Sequence, residues 1–251
     1  MKKPALLITV LMLTMASLAS ENQLVIAKAN KAYSDGLFTN AVDLYKKVIA
    51  SGYESWDLYY NLGNSYYKLN DYASAILYFE KAKKLNPGNE DVDFNLKVAN
   101  NKIADKIEPL PELFYKRWIR NLVELLPVDK WAWVVILSFI LSLISASFFI
   151  ISRRIFIRKS GFWLGIIFFL LSLSSFLFAV QNYRTLKNNS FAFIFAPTVT
   201  IKSSPDDKSI DLFVLHEGTK VQVLDNIGTW YEIKISNGSV GWLPASAVEK
   251  I

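Results

Sequence analysis

The 251-residue sequence contains no cysteine and a single histidine, His216. Without cysteine there are no disulfides, no thiolate metal sites, no cysteine nucleophile and no lipid-modified N-terminal cysteine. His216 stands before Glu217-Gly218 with no serine, cysteine or second histidine beside it in the chain, so a turn residue is expected rather than a catalytic base. Charge is missing from two long stretches, residues 131–151 and 161–180. Each is about the 20 residues needed to cross a bilayer. With no ionisable group inside either, they read as anchors and not as an ion or proton path.

The rest of the composition agrees with such a division. Apolar residues make up 52% of the chain and charged residues still 20%, so very apolar segments alternate with ordinary ones. The net charge of +6 would suit nucleic acid, but the densest basic cluster, Arg153, Arg154, Arg158 and Lys159, lies between the two uncharged runs. Membrane topology accounts for it better, and no nucleic-acid partner is expected. The start, Met1-Lys2-Lys3, an apolar run and then Ala16-Ser17-Leu18-Ala19, has the layout of a signal peptide over residues 1–19. An uncleaved anchor is the alternative.

Residues 22–104 repeat with a period of 34. Gly36 to Ala41 align with Asn70 to Ala75, and Tyr45 with Phe79. Such a period belongs to stacked helical hairpins. The copy at 56–89 carries Tyr59, Leu62-Gly63, Tyr66, Ala75, Phe79, Ala82 and Pro87 and resembles the tetratricopeptide (TPR) family. Gly63 and Ala75 are expected to let two helices approach while Tyr66 and Phe79 fill the space between them. The copy at 22–55 is degenerate, with Lys28-Ala29 in place of Leu-Gly. A partial third, residues 90–104, is expected to cap the stack, and so short an array calls for a neighbour.

The TPR resemblance implies a concave face built from the first helices, with Asn30, Tyr33, Tyr60, Asn61, Asn64 and Tyr67 as candidate partner-binding residues, flanked by Ile26, Asp57 and Lys68. Tyrosine and asparagine suit peptide recognition. For Tyr60 and Asn61, packing of the repeat is an equal alternative. Asn30 and Asn61 resemble the asparagines of clamps for a chain-terminal carboxylate, but Ile26, Asp91 and Asn95 stand where such clamps carry cations.

After Glu108-Pro109-Leu110-Pro111, within the linker at 105–130, Phe114, Trp118, Leu122, Leu125 and Leu126 recur at helical spacing, with Lys116, Arg117 and Arg120 elsewhere on the helix. This fits an interfacial helix, the alternative being one that covers the last repeat. The basic link, residues 152–160, is expected on the cytoplasmic side, which places both flanking modules in the periplasm.

From residue 191 to 251 short alternating runs separated by Ser-Pro, Glu-Gly and Asn-Gly turns indicate a small all-β barrel. Gly228-Thr229-Trp230-Tyr231-Glu232-Ile233 and Gly241-Trp242-Leu243-Pro244 resemble bacterial SH3 domains. Alternation turns Tyr231, Ile233 and Ile235 toward the core and predicts Trp230 outside and exposed, as the candidate ligand-binding residue, with packing on the barrel's own loops or the membrane surface an equal alternative. Trp242 is expected to fill the barrel, because the flanking Gly241 gives room for a large buried ring.

The fold class expected is therefore a multi-domain membrane protein with an α-helical TPR array, two transmembrane helices and an SH3-like barrel. This order of segments, with Asn86 to Val92, Asp105 to Pro111 and Phe213 to Thr219, resembles the BatE-like proteins of Bacteroides-type aerotolerance operons. That resemblance implies an envelope complex in the bacterial inner membrane, with von Willebrand A-domain membrane proteins and a MoxR-type ATPase as partners. An interaction scaffold, a tether binding peptidoglycan and a hydrolase are the functions weighed. No cofactor, no metal and no enzymatic activity are expected.

Overall fold

A computed structural model describes residues 21–111, 113–188 and 191–251, so the signal-peptide reading falls outside the described residues. The chain divides into two compact units. One combines residues up to 108 with Phe191–Ile251, and the other is formed chiefly by Pro109–Ser190.

The first unit opens with five helices: α1 over residues 21–34, α2 (Phe38–Ala50), α3 (Trp56–Lys68), α4 (Tyr72–Leu85) and α5 (Glu90–Asn100). The starts of α2 and α4, and of α3 and α5, are each 34 residues apart, and the left-handed turn residue Gly36 recurs as Asn70. Local signals set the boundaries. Ser55 and Asn89 cap α3 and α5 by accepting the Leu58 and Val92 amides. A methyl at Gly63 would lie 2.7 Å from the Phe79 ring, so glycine there permits the α3–α4 approach, and Ala75 and Phe79 are fully buried. Tyr66 stacks on Tyr78 at 5.5 Å.

The β module has seven strands: β1 (Phe191–Ile194), β2 (Thr198–Lys202), β3 (Asp211–His216), β4 (Lys220–Ile227), β5 (Trp230–Lys234), β6 (Val240–Pro244) and β7 (Val248–Lys250). They form one antiparallel sheet in the order β3-β2-β6-β5-β4-β1-β7. It curls around Ala192, Ile194, Val199, Ile201, Leu215, Val221, Ile233, Ile235 and Leu243.

Strand β1 serves two cores. Ala192 and Ile194 enter the sheet's own interior, while Phe193 is buried with Ala75, Ile76, Leu77, Phe79, Leu96 and Ala99 of α4 and α5. The open end of the short array is thus covered by a strand and not by a further helix. Burial on both faces removes the apolar–polar alternation by which strands are recognised, so β1 carries no strand signal of its own in the sequence.

The linker after α5 reinforces the junction. Ile103, Asp105 and Ile107 are half-buried and the residues between them exposed, the period of an extended chain lying on a surface. Ile107 packs against the barrel core and Ile103 against the helical one. Between them the Asp105 carboxylate accepts the His216 amide (2.7 Å) and the Thr219 hydroxyl (2.7 Å), and lies 2.7 Å from His216 Nδ1. Lys220 and Glu80 add an ion pair at 2.7 Å.

The second unit holds α6 (Phe114–Glu124), α7 (Val128–Ile151) and α8 (Ile155–Asn188). Helices α7 and α8 are long and apolar enough to cross a membrane, and they pair antiparallel. Small residues make their seam. Ser138, Ser142, Ser145, Ser172 and Ser175 are buried, and a methyl at Gly161 would come within 2.7 Å of the Ser145 carbonyl. Ser142 donates to the Gly165 carbonyl and Ser172 to that of Val135. The connecting link is shorter than the expected 152–160. Only Ser152 to Arg154 lie outside the helices, because Ile155 to Lys159 contain no breaker and α8 incorporates Arg158 and Lys159.

Candidate functional site

The first helices of the repeats present a hollow of about 300 Å³ lined by Tyr33, Tyr60, Asn64, Tyr67, Lys68, Phe79, Asn95 and Val98. Four of the six sequence-derived candidates, Tyr33, Tyr60, Asn64 and Tyr67, line it directly. The other two stand beside it and are engaged within the array. Asn30 Oδ1 accepts the Tyr45 hydroxyl at 2.6 Å and the Asn61 side-chain amide at 3.5 Å, tying α1 to α2 and α3. Ile26 packs into the first repeat's core and Asp57 is exposed.

Asn95 organises the hollow, donating to Tyr60 Oη at 2.9 Å and to Asn64 Oδ1 at 2.8 Å. These bonds fix the Tyr60 ring, which also leans on Phe79 at 5.9 Å. Tyr67 is held edge-on to Tyr72 at 5.5 Å. Burial, and secondarily the neighbouring Tyr60, raise the Tyr33 hydroxyl's pKa above its ordinary value; burial pushes Tyr45 up to about 12. Both stay neutral phenols able to donate hydrogen bonds at any physiological pH. The lining is aromatic and amphipathic, with Lys68 its one charged member. Asn95 and Val98 carry a sequence signal in the repeat itself, since they follow Asn61 and Asn64 by 34 residues.

The tryptophans of the β module depart from expectation. Trp230 is half-buried, not exposed, because it pairs with Pro244 on one side and Ile227 on the other. Trp242 does not fill the barrel. It pairs with Glu232 and Lys202 on the outer face, while its neighbours Gly241 and Leu243 point inward. A methyl on Gly241 would collide with the Ile201 side chain and come 2.9 Å from the Lys202 carbonyl, so the room this glycine provides belongs to Ile201. Trp230 and Trp242 consequently share one outer surface with Ile227 and Pro244.

His216 has an oriented partner after all, 111 residues away in sequence. Burial alone would raise the Asp105 pKa. Hydrogen bonds from the His216 amide, the Thr219 hydroxyl and the His216 ring outweigh that and hold the carboxyl below its ordinary value. The hydroxyl nearest this pair, that of Thr219, donates to the same carboxylate, which is the arrangement of a fastening. Among the described residues no group of three or more His, Asp or Glu side chains could hold a metal ion.

Comparison with known proteins finds no match among curated proteins. Residues 56–89, which form α3, α4 and the turn after them, match the tetratricopeptide repeat family, and residues 197–249, spanning β2 to β7, match the bacterial SH3 domain family.

Proposed function

We propose that the protein is a membrane-anchored, non-catalytic scaffold that holds an envelope protein in its TPR hollow, with the helical and SH3 parts on the periplasmic face of the bacterial inner membrane. The observation that carries this reading is the hollow's lining. Three tyrosines, two asparagines and a lysine sit on a preordered surface that needs little reorganisation to bind an extended chain.

Anchoring rests on α7 and α8, whose lengths and apolar character suit a bilayer. Placement of both ends on one side draws support from the first unit. Residues up to 108 share buried side chains with residues from 191 onward, so the segment between them must return to the side it left. The basic turn at Arg153 and Arg154 favours the cytoplasm for the far end of the hairpin. Membership of an aerotolerance complex, with von Willebrand A-domain and MoxR-type partners, rests on the BatE resemblance.

A photo-crosslinking residue at Tyr67 in living cells tests the scaffold reading. It should capture one envelope protein, and Tyr67→Ala should abolish that protein's co-purification while leaving unfolding unchanged; undiminished recovery would remove the hollow from the proposal. Single thiols at Asp35, Ser160 and Asp207 test topology. An impermeant reagent should modify the first and last but spare position 160.

A second reading, a tether to peptidoglycan, is favoured by the outer face that bears Trp230 and Trp242, since aromatic faces stack on sugars and peptides. Sedimentation with purified peptidoglycan should then depend on Trp230.

A further inference from the structure

Helix α6 keeps its apolar side open. At about 100° per residue, Phe114, Trp118, Leu122, Leu125, Tyr115 and Ile119 fall within about 140° of the helix circumference. All six are exposed, Phe114 at 73%, Trp118 at 71% and Leu125 at 62%. Such a stripe on a soluble helix turns toward a core. Here only Val123, about 40° beyond the stripe, is buried. Lys116, Arg117 and Arg120 occupy the remaining arc with Asn121 and Glu124, leaving an excess of two positive charges on the helix.

The place of α6 in its unit is fixed at its C-terminal end, where the last carbonyls of a helix lack intrahelical donors. Trp131 Nε1 donates to the Val123 carbonyl at 3.0 Å, and Asn182 Nδ2 to the carbonyls of Val123 and Leu126 at 3.4 and 3.1 Å. Asn182 is 5% exposed, and Trp131 meets Phe178 at 5.2 Å. Trp131 lies in the first turn of α7 and Asn182 in the last turns of α8. Two polar groups from the end of the apolar pair opposite the Ser152–Arg154 link therefore hold α6 where hydrocarbon gives way to water. The exposed apolar surface of the pair continues onto α6 at that level.

We propose that α6 is a lipid-binding element that seats its Phe114–Trp118–Leu122–Leu125 stripe at the headgroup boundary and pairs Lys116 and Arg117 with the phosphates of anionic phospholipid. Asn182 and Trp131 are positioning residues that set its depth. The inference rests on the membrane reading of α7 and α8. Commitment to lipid as the occupant follows from three features together: the aromatic-rich stripe, the cations flanking it, and the level at which the side-chain caps hold the helix.

The chain contains no cysteine, so single thiols report without background. Full-length protein carrying Leu122→Cys or Leu141→Cys is labelled with an environment-sensitive fluorophore and placed in vesicles of phosphatidylcholine, with or without phosphatidylglycerol. Quenching lipids carry a spin label either high or deep on the acyl chain. The label at 122 should be quenched more by the shallow probe than by the deep one, that at 141 more by the deep probe. Phosphatidylglycerol should strengthen shallow quenching at 122, and Lys116→Gln with Arg117→Gln should erase that gain. Shallow quenching at 122 that is indifferent to phosphatidylglycerol would overturn the phosphate pairing. Emission typical of water at 122, with deep quenching intact at 141, would overturn the proposal outright while leaving the anchor reading standing. Loss of lipid quenching at 141 would overturn the anchor reading itself. Asn182→Leu should shift the quenching ratio at 122 while leaving 141 unchanged, which a purely packing role for Asn182 within α7–α8 would not do.

Discussion

The two units bury opposite kinds of side chain. In the helical and β unit the fully buried residues include Tyr45, Leu62, Phe79, Phe193, Ile201, Ile233 and Leu243. In the α6–α8 unit the buried positions are largely Ser138, Ser142, Ser145, Ser172, Ser175 and Asn182, while Leu137, Phe139, Leu170, Phe176 and their like are exposed. One unit excludes water from apolar surface. In the other, on the membrane reading proposed for α7 and α8, lipid would solvate leucine as well as protein does, and close backbone approach and interhelical hydrogen bonds would decide the packing. The same amino acid therefore has a different value in each part, and substitutions can be chosen to separate them.

The largest effect is expected at Phe193, where strand and helices share a core. Phe193→Ala should cost about 3–5 kcal/mol, and hydrogen exchange should rise in both α4–α5 and β1, with α7–α8 unaffected. If exchange rose only in the β strands, the two parts would be separate domains and the unit would have to be divided. Gly241→Ala comes next. It forces a methyl against Ile201 and should destabilise the sheet by about 1–3 kcal/mol, more than Trp242→Ala, whose ring lies on the outer face; the reverse order in denaturant unfolding would return Trp242 to the interior.

Asp105→Asn sharpens the same comparison through pH. The folded pKa of Asp105 lies below its unfolded value, so its contribution is complete above the ordinary carboxylate range and is lost as pH falls through the lowered value. The wild type should lose stability across that acid range. The variant, already weaker at neutral pH by about 1–2 kcal/mol, should show a shallower acid limb in thermal scans. Gly161→Leu should have the smallest effect on the first unit, namely none, while separating α7 from α8 in distance measurements between labels.

Legibility depended on whether a side chain's partners are local in sequence, and not on which unit it belongs to. The 34-residue period, the Gly63–Phe79 contact and the inward places of Ile233 and Ile235 were readable because each repeats a local pattern that one side chain satisfies. Four of the hollow's residues follow from the TPR resemblance, and Asn95 and Val98 lie one 34-residue period beyond Asn61 and Asn64. Phe193 and Asp105 were not readable, since their partners lie far away in sequence and β1, buried on both faces, has no alternation. For Trp242 register outweighs size: the strand's period of two assigns Gly241 and Leu243 to the core whatever their bulk. The serine seam carries no such signal, because hydropathy marks a long apolar helix and says nothing of which face is small.

The junction at Phe193 also has a consequence for how the protein is made. Synthesis proceeds from the N-terminus, so α1 to α5 emerge with Ala75, Ile76, Phe79, Leu96 and Ala99 uncovered at the array's end. The strand that covers them follows only after more than eighty further residues, including both long apolar helices, have been translated. During that interval the array offers a sticky end to chaperones, proteases or another nascent copy. Completion of the hairpin and closure of the body are thereby linked, and a chain stalled within α7 or α8 should carry an unfinished array that cellular quality control can recognise.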